Sequence, residues 1–442
     1  MIINNILSFV QNRLKPFYDK SIVLQNIDWL IFANIILLII SSAFAPSDNI
    51  GYFAIFVIIL TGVKVLTKSG ERFRMTVAEK FLLVYFLLVI ISVAGSTLFA
   101  LSLKGFLKTL IYIGFYVSFV HYLQSNKSKL KYILLTIIGV SFAESLVALN
   151  QNFLSVSEIS GWQDMSRLNP EEVMTRVYGS LKPYNPNLFG GYMLSVLPAS
   201  LFMIYVPILN KHYKTSILGL LSFALCALSI ILTGCRGAYV GLFAQLVLLV
   251  VLTFHFLKPF YKKIFTFIVS AAALLCGLVI VSVTSLRARV FSIFAMRSDS
   301  SNSFRFNVYN SCIDMFKDNW LLGIGVGNQN FREIYGLYMK TGFDALSAYN
   351  IYLETAVESG LFALIAFLGF IICNIITAVR QILKRKNIRA IYLTIALVSL
   401  VGILIHGFVD TVFFRPQIQF IFWIMIGIIR VVGGGYVNTS RN

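Results

Sequence analysis

The chain has 442 residues, 58% of them hydrophobic and 12% charged, with a mean hydropathy of +0.82. A soluble domain carries about twice that charged fraction, which excludes an ordinary water-soluble globular protein. The net charge of +19 would suggest nucleic acid in a soluble protein. Here Lys and Arg occupy short connectors between apolar blocks, which points to topology and lipid-surface anchoring and to no nucleic-acid partner.

Residues 1–28 form an amphipathic, cytoplasmic N-terminal segment. Ile6, Phe9, Val10, Leu14 and Phe17 recur at helical spacing among Arg13, Lys15 and Lys20. That pattern predicts a helix lying on the membrane surface and is not a cleavable signal peptide. Twelve apolar blocks follow, at 29–45, 50–66, 80–99, 104–123, 132–150, 187–208, 215–233, 237–257, 264–285, 352–379, 390–407 and 417–434. Most are about 17 to 22 residues long, enough to cross a hydrocarbon core as helices. They lack the alternation of a transmembrane barrel. The block at 104–123 carries Lys104 and Lys108, so its first turn is expected at the interface. The prediction is an all-α polytopic membrane protein with one transmembrane domain over 29–434 and a short tail at 435–442.

Positive charge sets the orientation. Lys64, Lys68, Arg72, Arg74, Lys80, the Lys127–Lys131 cluster and Arg380–Arg389, with Lys386 among them, fall on the same side as the N-terminus, as does Arg441. Both termini are therefore expected in the cytoplasm. Two long outer loops result, 151–186 and 286–351. The second carries Phe306, Tyr309, Ile313 and Phe316 at helical spacing, which predicts an amphipathic helix at the outer interface. Of the five cysteines, only Cys312 falls in a polar loop, and no spacing suits a metal. Neither disulfide, metal nor cofactor is expected.

Four polar segments converge outside under this topology. The first is Arg176-Val-Tyr-Gly-Ser-Leu-Lys-Pro-Tyr-Asn185-Pro-Asn187, leading into the sixth span. The second is the turn Thr233-Gly-Cys-Arg236-Gly-Ala-Tyr239. The third runs from Arg305 to Ala348-Tyr349-Asn350-Ile-Tyr352-Leu-Glu354-Thr-Ala-Val-Glu358-Ser-Gly360, and the fourth is His406-Gly-Phe-Val-Asp410-Thr-Val-Phe-Phe-Arg415-Pro416.

Arg236 is the most informative residue, because an Arg near membrane depth costs about 2.5–3.5 kcal/mol unless it faces a cavity or a partner. Beside glycines it presents a planar fork to an anion, phosphate above all. Its competing role is snorkelling to headgroups. Arg176, Arg305 and Arg415 are further anion-binding candidates, or else solvated surface charges.

Glu354 and Glu358, at i and i+4, share a helical face; they suit a general base or proton relay, or a structural pair with Arg236 or Arg415. His406 and Asp410 share the same spacing, either as an oriented base or as a helix-end hydrogen bond. Asn185 and Asn187 suit a capped helix start around Pro186, and Asn350 shapes the entry to the tenth span. Glu144, alone in the fifth span, reads as a buried polar bridge. Gly323-x-Gly325-x-Gly327 has no strand-helix unit around it and reads as a turn.

The four segments, in this order, resemble the O-antigen ligase/polymerase superfamily of polytopic membrane proteins from about Arg176 onward. C-R-G-A-Y-V-G-L is similar to that superfamily's S-R-G motif, and A-Y-N-I-Y-L-E-T-A-V-E-S-G to its H-N-x-x-L…E-x-G motif. R-V-Y-G-S-L, N-P-N-L-F-G-G-Y and H-G-F-V-D-T-V-F-F-R-P are similar to the branch named for inorganic-carbon (bicarbonate) transport.

The resemblance implies transfer of a glycan from an undecaprenyl-diphosphate carrier to an acceptor hydroxyl, without metal. It places the chain in the inner membrane with its site facing the periplasm. The implied partners are the undecaprenyl-diphosphate-linked glycan and the bilayer. Arg236 would hold the carrier diphosphate, helped by Arg176 or Arg305.

One position departs. The motif's His, the residue thought to activate the acceptor, is Tyr349 here, and a hydroxyl of pKa about 10 is a poor base. Either Glu354, Glu358 or His406 takes the proton, or the branch does no ligase chemistry. Three readings follow: a membrane glycosyltransferase, a transporter of a small anion such as bicarbonate, and a scaffold. A secondary transporter is expected to show repeat halves around a midplane site. The polar residues gathered toward one surface favour the enzyme.

Overall fold

The computed structural model of the chain describes residues 2–68, 75–153, 176–295, 299–385 and 387–434. Arg72, Arg74, Lys386 and Arg441 of the basic connectors lie outside the described residues, as do the 435–442 tail, most of the 151–186 loop and the side chain of Ile6. Among the described residues the chain is helical without a strand. Twelve helices are long and apolar enough to cross a membrane, so the protein is an all-α polytopic membrane protein.

In chain order the helices are α1 (Ile2–Lys20), α2 (Ile22–Gln25), α3 (Ile27–Phe44), α4 (Ser47–Thr67), α5 (Val77–Ala94), α6 (Phe99–Ser125) and α7 (Leu130–Phe153). Then come α8 (Pro186–Val196), α9 (Ser200–Leu209), α10 (Tyr213–Leu232), α11 (Arg236–Phe256), α12 (Pro259–Ser282) and α13 (Thr284–Phe291). The last are α14 (Ser300–Asp318), α15 (Asn328–Tyr335), α16 (Ile351–Lys384), α17 (Ile388–His406) and α18 (Pro416–Gly433). A 3-10 turn at Leu197–Ala199 joins α8 to α9, which cross as one span.

The spans overlap the twelve apolar blocks one for one, and local chemistry moves the ends. Thr76 and Glu79 cap α5 reciprocally, which starts that helix early, and it stops before Gly95. The block with Lys104 and Lys108 is one 27-residue helix, with both lysines exposed near its start.

α18 runs through the middle of the bundle and packs against α17, α6 and α16, while α5 lies along α16 and α11 along α17. At the end away from the polar segments, two ion pairs tie helices together. Lys64 Nζ lies 2.8 Å from Asp28 Oδ1, and Arg430 Nε lies 2.9 Å from Glu79 Oε1. α1 rests along α4, where Gln11 Nε2 donates to the Val65 carbonyl at 2.8 Å and Phe9 and Phe17 remain exposed.

The expected amphipathic helix in the second long loop is α14, but its inward face differs from the one read in the sequence. Val308, Cys312 and Met315 are buried with Phe331 and Tyr335 of α15, while Ile313 is exposed. Cys312 is thus a core residue and not part of a polar loop. α16 is two helices joined at a kink. Gly360 has φ +81°, a conformation that Gly adopts without strain, and a Cβ there would collide with the Leu321 carbonyl.

Candidate functional site

The polar segments meet at one end of the bundle, built around the turn between α10 and α11. Thr233 Oγ1 accepts from the Cys235 amide at 3.1 Å, and Gly234 has φ +61°, so the chain reverses and α11 begins at Arg236. Three guanidinium groups surround this turn. Arg176 donates from Nε to the Thr233 carbonyl at 2.8 Å and from Nη2 to Asn187 Oδ1 at 2.6 Å. Arg236 reaches Asp299 Oδ1 at 2.9 Å and donates to Ser292 Oγ at 3.2 Å.

The third is Arg289, on α13. A methyl group added at Gly234 would lie 3.4 Å from the Nε atoms of both Arg176 and Arg289. Arg289 Nε is buried without a hydrogen-bond partner among the described residues. Burial, with Arg176 and Arg236 close by, pulls the Arg289 guanidinium down to about 10. Burial lowers Arg176 as well. Beside the cluster a hollow of about 520 Å³ opens between Thr284, Arg287, Ala288, Phe291, Ser292 and Ala295.

Asn187 links the cluster to a second group. Asn185 caps α8 by accepting from the Asn187 amide at 2.8 Å, with Pro186 in the first turn, as the sequence predicted. The Asn187 side chain then bridges Arg176 to Asp410, donating to Asp410 Oδ2 at 3.1 Å. Arg305 lies 3.7 Å from the same oxygen and stacks over the Tyr349 ring at 5.8 Å.

Tyr349 has φ +51° and its carbonyl accepts from Tyr309 Oη at 3.1 Å. Burial, then the Asp410 carboxylate, pushes the Tyr349 hydroxyl above its ordinary value. Asn350 caps α16, accepting from the Tyr352 and Leu353 amides at 2.9 Å, and donates to the Phe408 carbonyl at 3.0 Å.

Glu354 and Glu358 are buried on one face of α16's first half. Neither carboxylate is paired with Arg236 or Arg415. Glu354 Oε2 accepts from the Ala348 amide at 2.9 Å, and Glu358 Oε1 from the Gly327 amide at 2.8 Å. The Gly323–Gly327 stretch is the expected turn, and Glu358 clasps it. Glu144 is a buried bridge, as read: it accepts from the Ser180 amide at 2.9 Å and from the Ser180 hydroxyl, holding the segment after Arg176 to α7.

His406 and Asp410 do not pair directly. α17 ends at His406, so the i, i+4 relation fails to become a helical one. His406 faces Cys235 instead, with Nε2 3.6 Å from Sγ, and Asp410 accepts from the Thr411 amide at 2.8 Å and the Val412 amide at 3.2 Å. Arg415 is exposed at the start of α18 and makes no side-chain hydrogen bond or ion pair among the described residues. Arg176, Arg236, Arg305, Asn187 and Asp410 are therefore brought together, and Arg415 is not. Sequence reasoning missed Arg289 and Asp299, and took in Cys235 only as part of the C-R-G turn. For Arg289 the available signal was the pair of arginines in Arg287-Ala-Arg289 directly after a span.

Residues 221–368, about a third of the chain, match the family model for O-antigen ligase. The matched stretch contains the Gly234 turn, α13, α14 and the first half of α16, and it supports the O-antigen ligase/polymerase superfamily. The match does not single out the inorganic-carbon branch. No curated protein matches the chain.

Proposed function

We propose that this membrane protein, which carries an O-antigen ligase domain at residues 221–368, transfers a glycan from an undecaprenyl-diphosphate carrier to an acceptor hydroxyl at the periplasmic face. What carries this reading is the convergence of Arg176, Arg236 and Arg289 on the Gly234 turn, with a buried donor on Arg289 that has no hydrogen-bond partner among the described residues. As the bond to the sugar breaks, the departing diphosphate gathers negative charge. Guanidinium groups already fixed in place, away from bulk water, stabilise that charge without reorganising.

Arg176 is fixed by Thr233 and Asn187, which leaves it oriented before any substrate arrives. Arg236 is held by the Asp299 carboxylate, which a diphosphate replaces with a stronger, bidentate partner. The hollow beside Ser292 is an open depression, and Arg236 reaches its edge through the Ser292 hydroxyl. Glu354 and Glu358 act as positioning residues, Glu354 holding the Ala348 amide and Glu358 the Gly327 amide, each through one carboxylate oxygen.

The test is Arg236→Ala, assayed for surface and lipid-linked glycan beside bicarbonate uptake in vesicles. Loss of the transferred glycan, with the lipid-linked form accumulating, is expected. Unchanged glycan with abolished uptake would overturn the enzyme in favour of an anion transporter.

A further inference from the structure

Cys235 and His406 are 171 positions apart, yet Sγ and Nε2 lie 3.6 Å from each other and both residues are buried. The imidazole sits in a slot between two glycines. A Cβ on Gly237 would come within 2.6 Å of His406 Cδ2, and one on Gly191 within 3.0 Å of both Cε1 and Nδ1. The ring is thereby held with one edge on Cys235 and the other toward Gly191. Against that second edge lies a cavity of about 10 Å³, lined by His406, Asp410, Gly191 and Gly407 and otherwise by apolar side chains such as Ile403 and Val412. That is just room for a single water, with the His406 and Asp410 side chains as its polar neighbours. Cys235 itself directly precedes Arg236.

We propose that Cys235 and His406 are the proton-accepting pair of the transfer reaction, His406 taking the proton and Cys235 Sγ holding the imidazole in position; this rests on the glycan-transfer reading. The other candidates have different work: Glu354 and Glu358 each hold a backbone amide that fixes a loop, and the Tyr349 hydroxyl, pushed up, is a poor base. Burial by itself would raise the Cys235 thiol. The His406 ring beside it and the Arg176 guanidinium outweigh burial, and the thiol stands below its ordinary value. Cys235 Sγ beside Nε2 then fixes the tautomer of the neutral imidazole, with Nε2–H toward the sulfur and Nδ1 free to accept, the positioning part that Asp plays in a Ser-His-Asp triad.

In the reaction, the acceptor oxygen bonds to the anomeric carbon while the bond from that carbon to the diphosphate oxygen breaks. The electron pair leaves with the diphosphate, which stays on the arginines. The acceptor's proton passes through one water in the Gly191 space to His406 Nδ1.

The charged and titratable groups around the pair are Arg176 before α8, Tyr239 on α11, Arg289 on α13, Arg305 on α14 and Asp410 after α17. All remain in Cys235→Ser, so that variant is the baseline for titration. In the purified full-length protein, the ultraviolet thiolate absorbance of wild type minus Cys235→Ser should titrate below an ordinary cysteine, and His406→Gln should move that titration upward. Cys235→Ser should slow transfer by about tenfold to a hundredfold and shift the acid limb of the kcat profile to lower pH. Gly191→Ala should leave the Cys235 titration in place and still slow transfer by a similar factor, since it closes the space to water. A Cys235 titration that His406→Gln leaves unmoved, in a protein that transfers glycan, overturns the pair alone. An unchanged rate and acid limb in Cys235→Ser overturns it too. A wild type that transfers no glycan removes both the pair's role and the reading beneath it.

Discussion

α12 and α18 are both long enough to cross a membrane, and their surroundings are opposite. None of α12's most apolar stretch is buried inside the protein, against 89% of α18's. The hydropathy of those stretches runs the other way, 2.7 for α12 and 1.6 for α18. In water the more apolar helix would be the core. In a bilayer lipid solvates apolar side chains as well as protein does, so the central place goes to the helix whose polar groups need partners. α18 supplies them. Gln417 Nε2 donates to Ser47 Oγ at 2.9 Å and to the Lys182 carbonyl at 3.0 Å, Trp423 Nε1 donates to Gln419 Oε1 at 2.8 Å, and Arg430 reaches Glu79. α12 has no buried residue, yet it leads directly into α13 and so delivers Arg289 to the Gly234 turn.

Four substitutions would break or sharpen that contrast. Arg289→Ala should leave the bundle assembled while reducing glycan transfer by about 10² to 10³-fold, the effect of losing one preorganised donor. Transfer near wild-type level would show that α12 brings nothing to the chemistry. Arg430→Ala should cost about 1.5–3 kcal/mol, because it removes the cationic partner of a half-buried Glu79 carboxylate and leaves it with its Thr76 cap; chemical unfolding in detergent reads the loss. Gly427→Ala should cost about 1–3 kcal/mol, since the new Cβ would sit 2.5 Å from Phe119 Cδ1. The same change in α12, Gly277→Ala, meets nothing within 4 Å and should be neutral or stabilising by up to about 1 kcal/mol. Equal losses from the two glycine variants would mean that α12 is packed and not lipid-facing.

Hydropathy made the spans readable because crossing a bilayer imposes a length and a composition that few other contexts demand. Arg236, Arg176, Asn187 and Asp410 were readable for a related reason, being polar groups at the ends of apolar blocks on one predicted side. Burial within the bundle was not readable, as α12 and α18 show. Arg289 follows its span as an ordinary interfacial arginine would, and nothing in its spacing says that it folds back to Gly234. The i, i+4 spacing of Glu354 and Glu358 was visible, but their partners are backbone amides of Ala348 and Gly327, which no side-chain pattern announces. His406 was read with Asp410 because the helix end between them was not recognised. The Gly407 that follows the last helical residue was the available sign.

The break at Gly360 has a mechanical consequence. It lies about 13 Å along α16 from that helix's start, where unpaired amides and carbonyls have no water to turn to. The 320–327 stretch fills the gap: the Leu361 amide donates to the Trp320 carbonyl at 2.8 Å, Ile324 to Val357 at 3.0 Å, Gly325 to Glu358 at 3.0 Å, and Gly327 to the Glu358 carboxylate at 2.8 Å. Prying this wedge loose would orphan all of those groups at once, each at a cost of several kcal/mol in hydrocarbon. That flank of the protein is bolted shut, whereas α12, which has no buried residue, is held chiefly through its neighbours in the chain, α11 and α13.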